Sequence, residues 1–157
     1  FHSVMPTNLY GPGDNYHREN SHVLPAMIRR FHEAKEANTD EVMIWGTGKP
    51  RRELMHVDDL AKGVLFVLEK EDPPDWVNLG TGVDHSIIEI AELVKQAVGF
   101  NGKIVYDLSK PDGMPLKRLD VSLANALGWK AETLLENGVK LAYADFLVGL
   151  KAGTTRL

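Results

Sequence analysis

Apolar residues return every three or four positions in four stretches of the chain, the period of one helix face. Leu24, Met27, Ile28, Phe31 and Ala34 predict a helix from Ser21, a good N-cap, to about Ala37. Pro25 falls in its first turn, where a missing N–H costs least. Leu60, Ala61, Val64, Leu65 and Leu68 predict a second helix, started at Val57-Asp58-Asp59 with an Asp as N-cap and stopped by Asp72-Pro73-Pro74. Ile87, Ile90, Ala91, Val94 and Val98 predict a third, with Ser86 and Glu89 as its capping box and Gly99 as its C-terminal cap. Leu135, Val139, Ala142, Phe146 and Leu150 predict the last, opened by a second capping box, Thr133 and Glu136. A short helix near Val121–Leu127 stops at Gly128.

Between these lie short runs that read as strands: Phe1–Met5, Glu41–Trp45, Arg51–Met55, Trp76–Leu79 and Lys103–Asp107. Strands alternating with helices make the class α/β. Two polar loops are long. Leu108–Leu119 is one; the other runs from Asn8 to His22, against about 2–6 residues for an ordinary strand-to-helix connection. That first loop holds two Tyr, two His and three Asn, a composition suited to converging on a small molecule rather than to linking. The tail, 153–157, is expected to fray.

At 157 residues the chain is one domain by size. A net charge of -4 argues against a nucleic-acid partner. No apolar run reaches membrane-span length. The lack of cysteine removes disulfides and thiolate metal sites, and fits a reducing, cytoplasmic setting. The chain opens inside a strand with no initiator Met, so the expectation is a piece of a longer protein.

Within this acidic chain the basic residues cluster as Arg29-Arg30, as Lys49 with Arg51-Arg52, and as Lys117-Arg118, each near a long loop or turn. Guanidinium groups pair bidentately with phosphate oxygens, so three converging clusters would make a diphosphate site; the alternative is solvated surface charge. Trp45 ends a strand before a glycine turn, where an indole can stack on a base or simply fill a core. His22 lies at a helix N-terminus, which disfavours imidazolium and would suit proton transfer near neutral pH; a plain polar contact is the alternative. Gly46-x-Gly48-Lys49 lacks the upstream glycine of a phosphate loop. Gly80-x-Gly82 is explained by a strand-to-helix turn, and the histidines lack metal-ligand spacing.

Six segments read together resemble the GDP-L-fucose synthases of the extended short-chain dehydrogenase family. They are Pro6-Thr7-Asn8-Leu9-Tyr10-Gly11-Pro12, Asn20-Ser21-His22-Val23-Leu24-Pro25, Trp45-Gly46-Thr47-Gly48, Arg52-Glu53-Leu54-Met55-His56-Val57-Asp58-Asp59, Val77-Asn78-Leu79-Gly80-Thr81-Gly82 and Lys110-Pro111-Asp112-Gly113. The resemblance implies an NADP-dependent epimerase and reductase acting on a GDP-sugar, a homodimer when intact. It implies that Pro6, Thr7, Asn8 and Leu9, with His22, touch the nicotinamide end of the cofactor. His22 would also be the acid that works with a cysteine in a double epimerisation. Arg30, Trp45, Arg52, Asp112 and Lys117 match positions that hold the GDP-sugar. The family's Gly-rich fingerprint, its Tyr-x-x-x-Lys and its Ser and Cys are absent here; Tyr143 has no Lys four residues on. The resemblance therefore implies the C-terminal, substrate-binding portion, residues 1–152. Its residues 1–9 would come from the edge of the cofactor domain, as a last strand of the Rossmann sheet. Alone it is expected to be inactive.

Overall fold

Strand β4 (Arg51–His56) is the hub of the molecule, because its alternate side chains feed two separate cores. The computed structural model describes residues 2–157. In chain order the other elements are β1 (Ser3–Pro6), β2 (Asn8–Tyr10), α1 (Val23–Glu36), β3 (Glu41–Trp45), α2 (Val57–Leu68), β5 (Trp76–Leu79), β6 (Asp84–Ser86), α3 (Ile87–Val98), β7 (Lys103–Asp107), β8 (Leu116–Lys117), α4 (Ser122–Ala126) and α5 (Leu135–Ala152). Helices pack on short, mostly parallel sheets, so the class is α/β. β4 pairs in parallel with β2 and β8 and antiparallel with β6. β1 pairs in parallel with β5, and β3 with β7.

The larger core gathers Leu24, Ile28 and Phe31 of α1, Ile90 and Val94 of α3, and Val139 and Phe146 of α5 around Leu54 of β4. The smaller core gathers Met55 of β4, Val67 of α2, Val77 and Leu79 of β5, Ala124 of α4 and Trp129. Val4 and Leu9 pack against it, so the strands opening the chain belong to this second unit. Phe1, read with them as strand, lies outside the described residues.

The helices stand where periodicity puts them, but their caps and buried faces differ in detail. The N-cap position of α1 is His22, without a side-chain cap, and the helix starts at Val23 rather than at Ser21. α2 is capped by His56, whose Nδ1 accepts the Asp58 N–H at 3.3 Å; no Asp performs that task. The Thr133–Glu136 box does not form: α5 begins at Leu135 behind Leu134, which gives no side-chain cap. The Thr133 N–H instead donates to the buried carboxylate of Asp59 at 2.8 Å, and Glu132 N–H to the same oxygen at 3.2 Å. This bond also turns α2. Asp59, Gly63 and Val67 form its buried stripe, while Ala61, Leu65 and Leu68, expected in the core, face outward. Gly63 is needed there, since a Cβ would stand 2.8 Å from the Trp129 ring. On α5 the expected inward Leu150 is exposed, and Tyr143 takes a core position instead. The tail is tied down: Tyr16 N–H donates to the Arg156 carbonyl at 2.8 Å beside an Asn15–Arg156 bridge. The capping box on α3 and the left-handed cap at Gly99 form as expected.

Candidate functional site

Two adjoining clefts open beside β4. The first, of about 580 Å³, is lined by Arg30 of α1, Trp45 at the end of β3, Arg52 of β4, and Pro111, Asp112 and Gly113. Alternation along β3 buries Val42 and Ile44 and turns Trp45 out, with 63% of its surface exposed, so it is not a core residue. Two cations flank the indole: the Arg30 guanidinium carbon lies 5.9 Å from the ring centroid and Lys110 Nζ 5.6 Å. Arg30 is held by a bond from Nη1 to the Met43 carbonyl at 2.8 Å. Burial draws its pKa below the usual guanidinium value, against the pull of Glu33. Arg52 donates from Nη1 to the Arg51 carbonyl at 2.8 Å and to the Met114 carbonyl at 2.6 Å. Its Nη2 and Nε have no partner among the described residues, leaving a fork of donors in the cleft.

One wall of this cleft is the strap 108–119, which the sequence showed only as a loop. Asp112 accepts from Thr47 twice, at its N–H (2.8 Å) and its hydroxyl (2.7 Å), and these bonds hold the carboxyl below the usual range. Gly46 is required beneath it, since φ is +73° and a Cβ would stand 2.3 Å from Asp112 Oδ1. Arg118 donates to Asp84 at 2.8 Å, and Asp84 also pairs with Arg51. Lys117 is exposed on β8, registered beside Arg52, and does not line the cleft.

The second cleft, of about 570 Å³, is lined by Thr7, Asn8, Leu9, Asp14, His22 and Arg52, among others. Arg52 thus faces both. His22 is exposed, and its imidazole is not spent on capping the helix. Asp14 is half-buried, and desolvation raises its carboxyl above the ordinary value, opposed by the Asn15 N–H and by His22. Pro6 is half-buried in β1 and is not among the lining residues.

The model of the NAD dependent epimerase/dehydratase family matches residues 1–80, half of the chain. The chain belongs to this family. It is 56% identical over 141 residues to the probable GDP-L-fucose synthase 1 of Oryza sativa subsp. japonica, covering 90% of this chain and 43% of the relative. It is 49% identical over 156 residues to the GDP-L-fucose synthase of Escherichia coli (strain K12), covering 94% and 49%. Among solved structures, the GDP-L-fucose synthetase of Naegleria fowleri bound to NADP superposes with a TM-score of 0.92 at 30% identity, covering 100% of this chain and 49% of that one. The chain spans about half the length of the curated relatives it matches.

In this epimerase/dehydratase chain, sequence reasoning missed one residue central to the site. Glu53 stands within the Arg52–Asp59 segment, and its residue type alone points to no role there. It is fully buried, and its carboxylate accepts from Gly82 N–H at 2.8 Å and Leu119 N–H at 2.7 Å. A signal is present in the strand itself: Glu53 runs directly into the apolar pair Leu54-Met55, where a carboxylate needs buried donors. No helix of the described residues is long and apolar enough to cross a membrane.

Proposed function

We propose that this chain is the substrate-binding portion of an NADP-dependent GDP-L-fucose synthase, cytoplasmic and dimeric when intact, that makes GDP-L-fucose from GDP-4-keto-6-deoxy-D-mannose. The observation that carries the reading is the meeting of Arg30, Trp45, Arg52 and Asp112, remote in sequence, around one cleft. An exposed indole offers a stacking face to the base. The free edge of the Arg52 guanidinium offers bidentate donors to a diphosphate. Asp112 serves by holding the strap, because both its oxygens are already engaged by Thr47. Lys117 adds positive charge on the strand beside Arg52.

The sugar then extends past Arg52 into the second cleft, toward His22. Its free imidazole can give a proton to a ring carbon, the step each epimerisation needs after the opposite face has lost one. Thr7, Asn8 and Leu9 suit the nicotinamide end. Asn8 donates its Nδ2–H to the Glu53 carbonyl at 2.8 Å, which leaves its carboxamide oxygen facing the cleft, and Leu9 supplies an apolar wall. When bound there, the nicotinamide supplies the hydride for reduction of the ketone at C4. Pro6 supports these residues from β1.

The test is isothermal titration of the 157-residue chain with GDP and with guanosine, together with NADPH consumption in the presence of GDP-4-keto-6-deoxy-mannose. Weak GDP binding without NADPH oxidation is expected. NADPH turnover above background by the pure chain, or no measurable GDP binding at millimolar ligand, overturns the reading.

A further inference from the structure

Four segments meet at Glu53. Its carboxylate takes the N–H of Gly82, and more distantly the Thr81 hydroxyl at 3.4 Å, from the turn after β5. Its other oxygen takes the N–H of Leu119, where the strap ends. Its carbonyl takes the side chains of Asn8 at 2.8 Å and Thr7 at 3.4 Å, which line the second cleft. The residue has no exposed surface. The turn is shaped around it: a Cβ on Gly80 would stand 2.3 Å from Oε1, and Gly82, at φ +70°, stays within reach only as a glycine.

Arg52 precedes Glu53 on β4, so the two side chains leave opposite faces of one strand. Arg52 is oriented partly by the Met114 carbonyl, and Met114 belongs to the strap. Just before its Leu119 end the strap is also seated on β4 by Pro115, whose carbonyl accepts the Arg51 N–H at 2.8 Å, and by the β8 pairing. We propose that Glu53 is a positioning residue for the nucleotide cleft: it fixes the strap, the 80–82 turn and the Thr7-Asn8 wall to one point, and so sets the direction in which Arg52 presents its fork. The cleft's identity as the nucleotide site rests on the function proposed above; the seating of the strap by Glu53 does not.

The mechanism is a matter of acceptors. A carboxylate satisfies two opposed N–H donors at once. A carboxamide of the same shape offers one oxygen and one NH2, so either Leu119 or Gly82 must face a donor. A buried donor left without a partner opens its segment, with an effect on the order of tenfold in the local equilibrium. Loosening at Leu119 moves the strap, and with it the Met114 carbonyl that steers Arg52.

The experiment is amide hydrogen exchange and GDP titration on the 157-residue chain and its Glu53→Gln variant. Gly80→Ala serves as a second perturbation of the same contact from the turn side. Exchange at Gly82, Leu119 and Arg51 is expected to accelerate by on the order of tenfold in both variants, while Val94 and Val139 in the larger core keep their rates. GDP binding is expected to weaken on the order of tenfold with guanosine binding nearly unchanged. Unchanged exchange at Gly82 and Leu119 overturns the proposal whether or not the parent binds GDP. So does equal acceleration at Val94 and Val139, which would make Glu53 a residue of global stability alone. A parent chain that fails to bind GDP refutes the proposed function instead, and the exchange at Arg51 still decides whether Glu53 seats the strap.

Discussion

Arg52→Ala is the substitution with the sharpest expected effect. Arg52 faces both clefts, and among the described residues only its Nη1 has partners, the Arg51 and Met114 carbonyls. The remaining edge is therefore the part a diphosphate would engage. A hydrogen bond to a charged group is worth about 1.5–3 kcal/mol, roughly tenfold to 150-fold in affinity. A second, smaller loss comes from the strap, because the Met114 carbonyl loses its donor. Arg52→Lys separates the two: it keeps a charge but not the planar fork, so it should recover part of the GDP affinity and little of the strap's order. Calorimetric titration of GDP and guanosine at two salt concentrations measures this. GDP should weaken strongly, guanosine little, and the difference should shrink at high salt. A GDP affinity within about twofold of the parent, or an equal loss for guanosine, refutes the diphosphate role.

Trp45→Ala should weaken guanosine and GDP alike, by about 1–3 kcal/mol if the indole stacks on the base, as read by titration. His22→Asn, placed in a full-length protein carrying this chain, should slow entry of solvent deuterium at the epimerised carbons while GDP affinity holds; normal exchange at both carbons removes His22 from the chemistry. Acid should unseat the strap: the Asp112 and Asp84 carboxyls are held below the usual range by Thr47 and by Arg51 respectively. A depressed carboxyl stabilises the folded arrangement above its unfolded pKa, near 4, and the contribution is lost as pH falls through the folded value. Protection of the Thr47 amide, taken relative to its intrinsic exchange rate, should accordingly fall on acidification below about pH 4, and Asp112→Asn should lower it already at neutral pH.

Much of this arrangement was legible because it rests on local rules. The apolar stripe of α1, the Ser86–Glu89 box and the glycine cap at Gly99 each need only neighbours in sequence. Residue chemistry also singled out Arg30, Trp45 and Arg52 before any contact was known. What escaped rests on long-range partners. α2 is apolar on nearly every side, so periodicity could not choose its buried face; Asp59, bonded to Thr133, chose it. The same bond removed the need for a Thr133 cap. The bond from Thr47 to Asp112 spans 65 positions and shows only in three dimensions. Glu53 fell into the same blind spot, since its donors at Gly82 and Leu119 are 29 and 66 positions away.

The two cores explain why chemistry collects at β4. Leu54 enters the larger core and Met55 the smaller one, so the strand is gripped from both sides and cannot shift relative to either. The smaller core draws β1, β5, α2 and α4 together. Any ligand spanning the two clefts therefore spans two packed units. Arg52 and Asn8 stand at their seam, one carried by β4 and the other bonded to the Glu53 carbonyl of the same strand. A reaction that must bring a sugar ring against a nicotinamide needs a fixed distance between its two binding walls. Under the function proposed above, a single strand shared by both cores holds that distance without depending on any loop, and the strap is seated on the same strand.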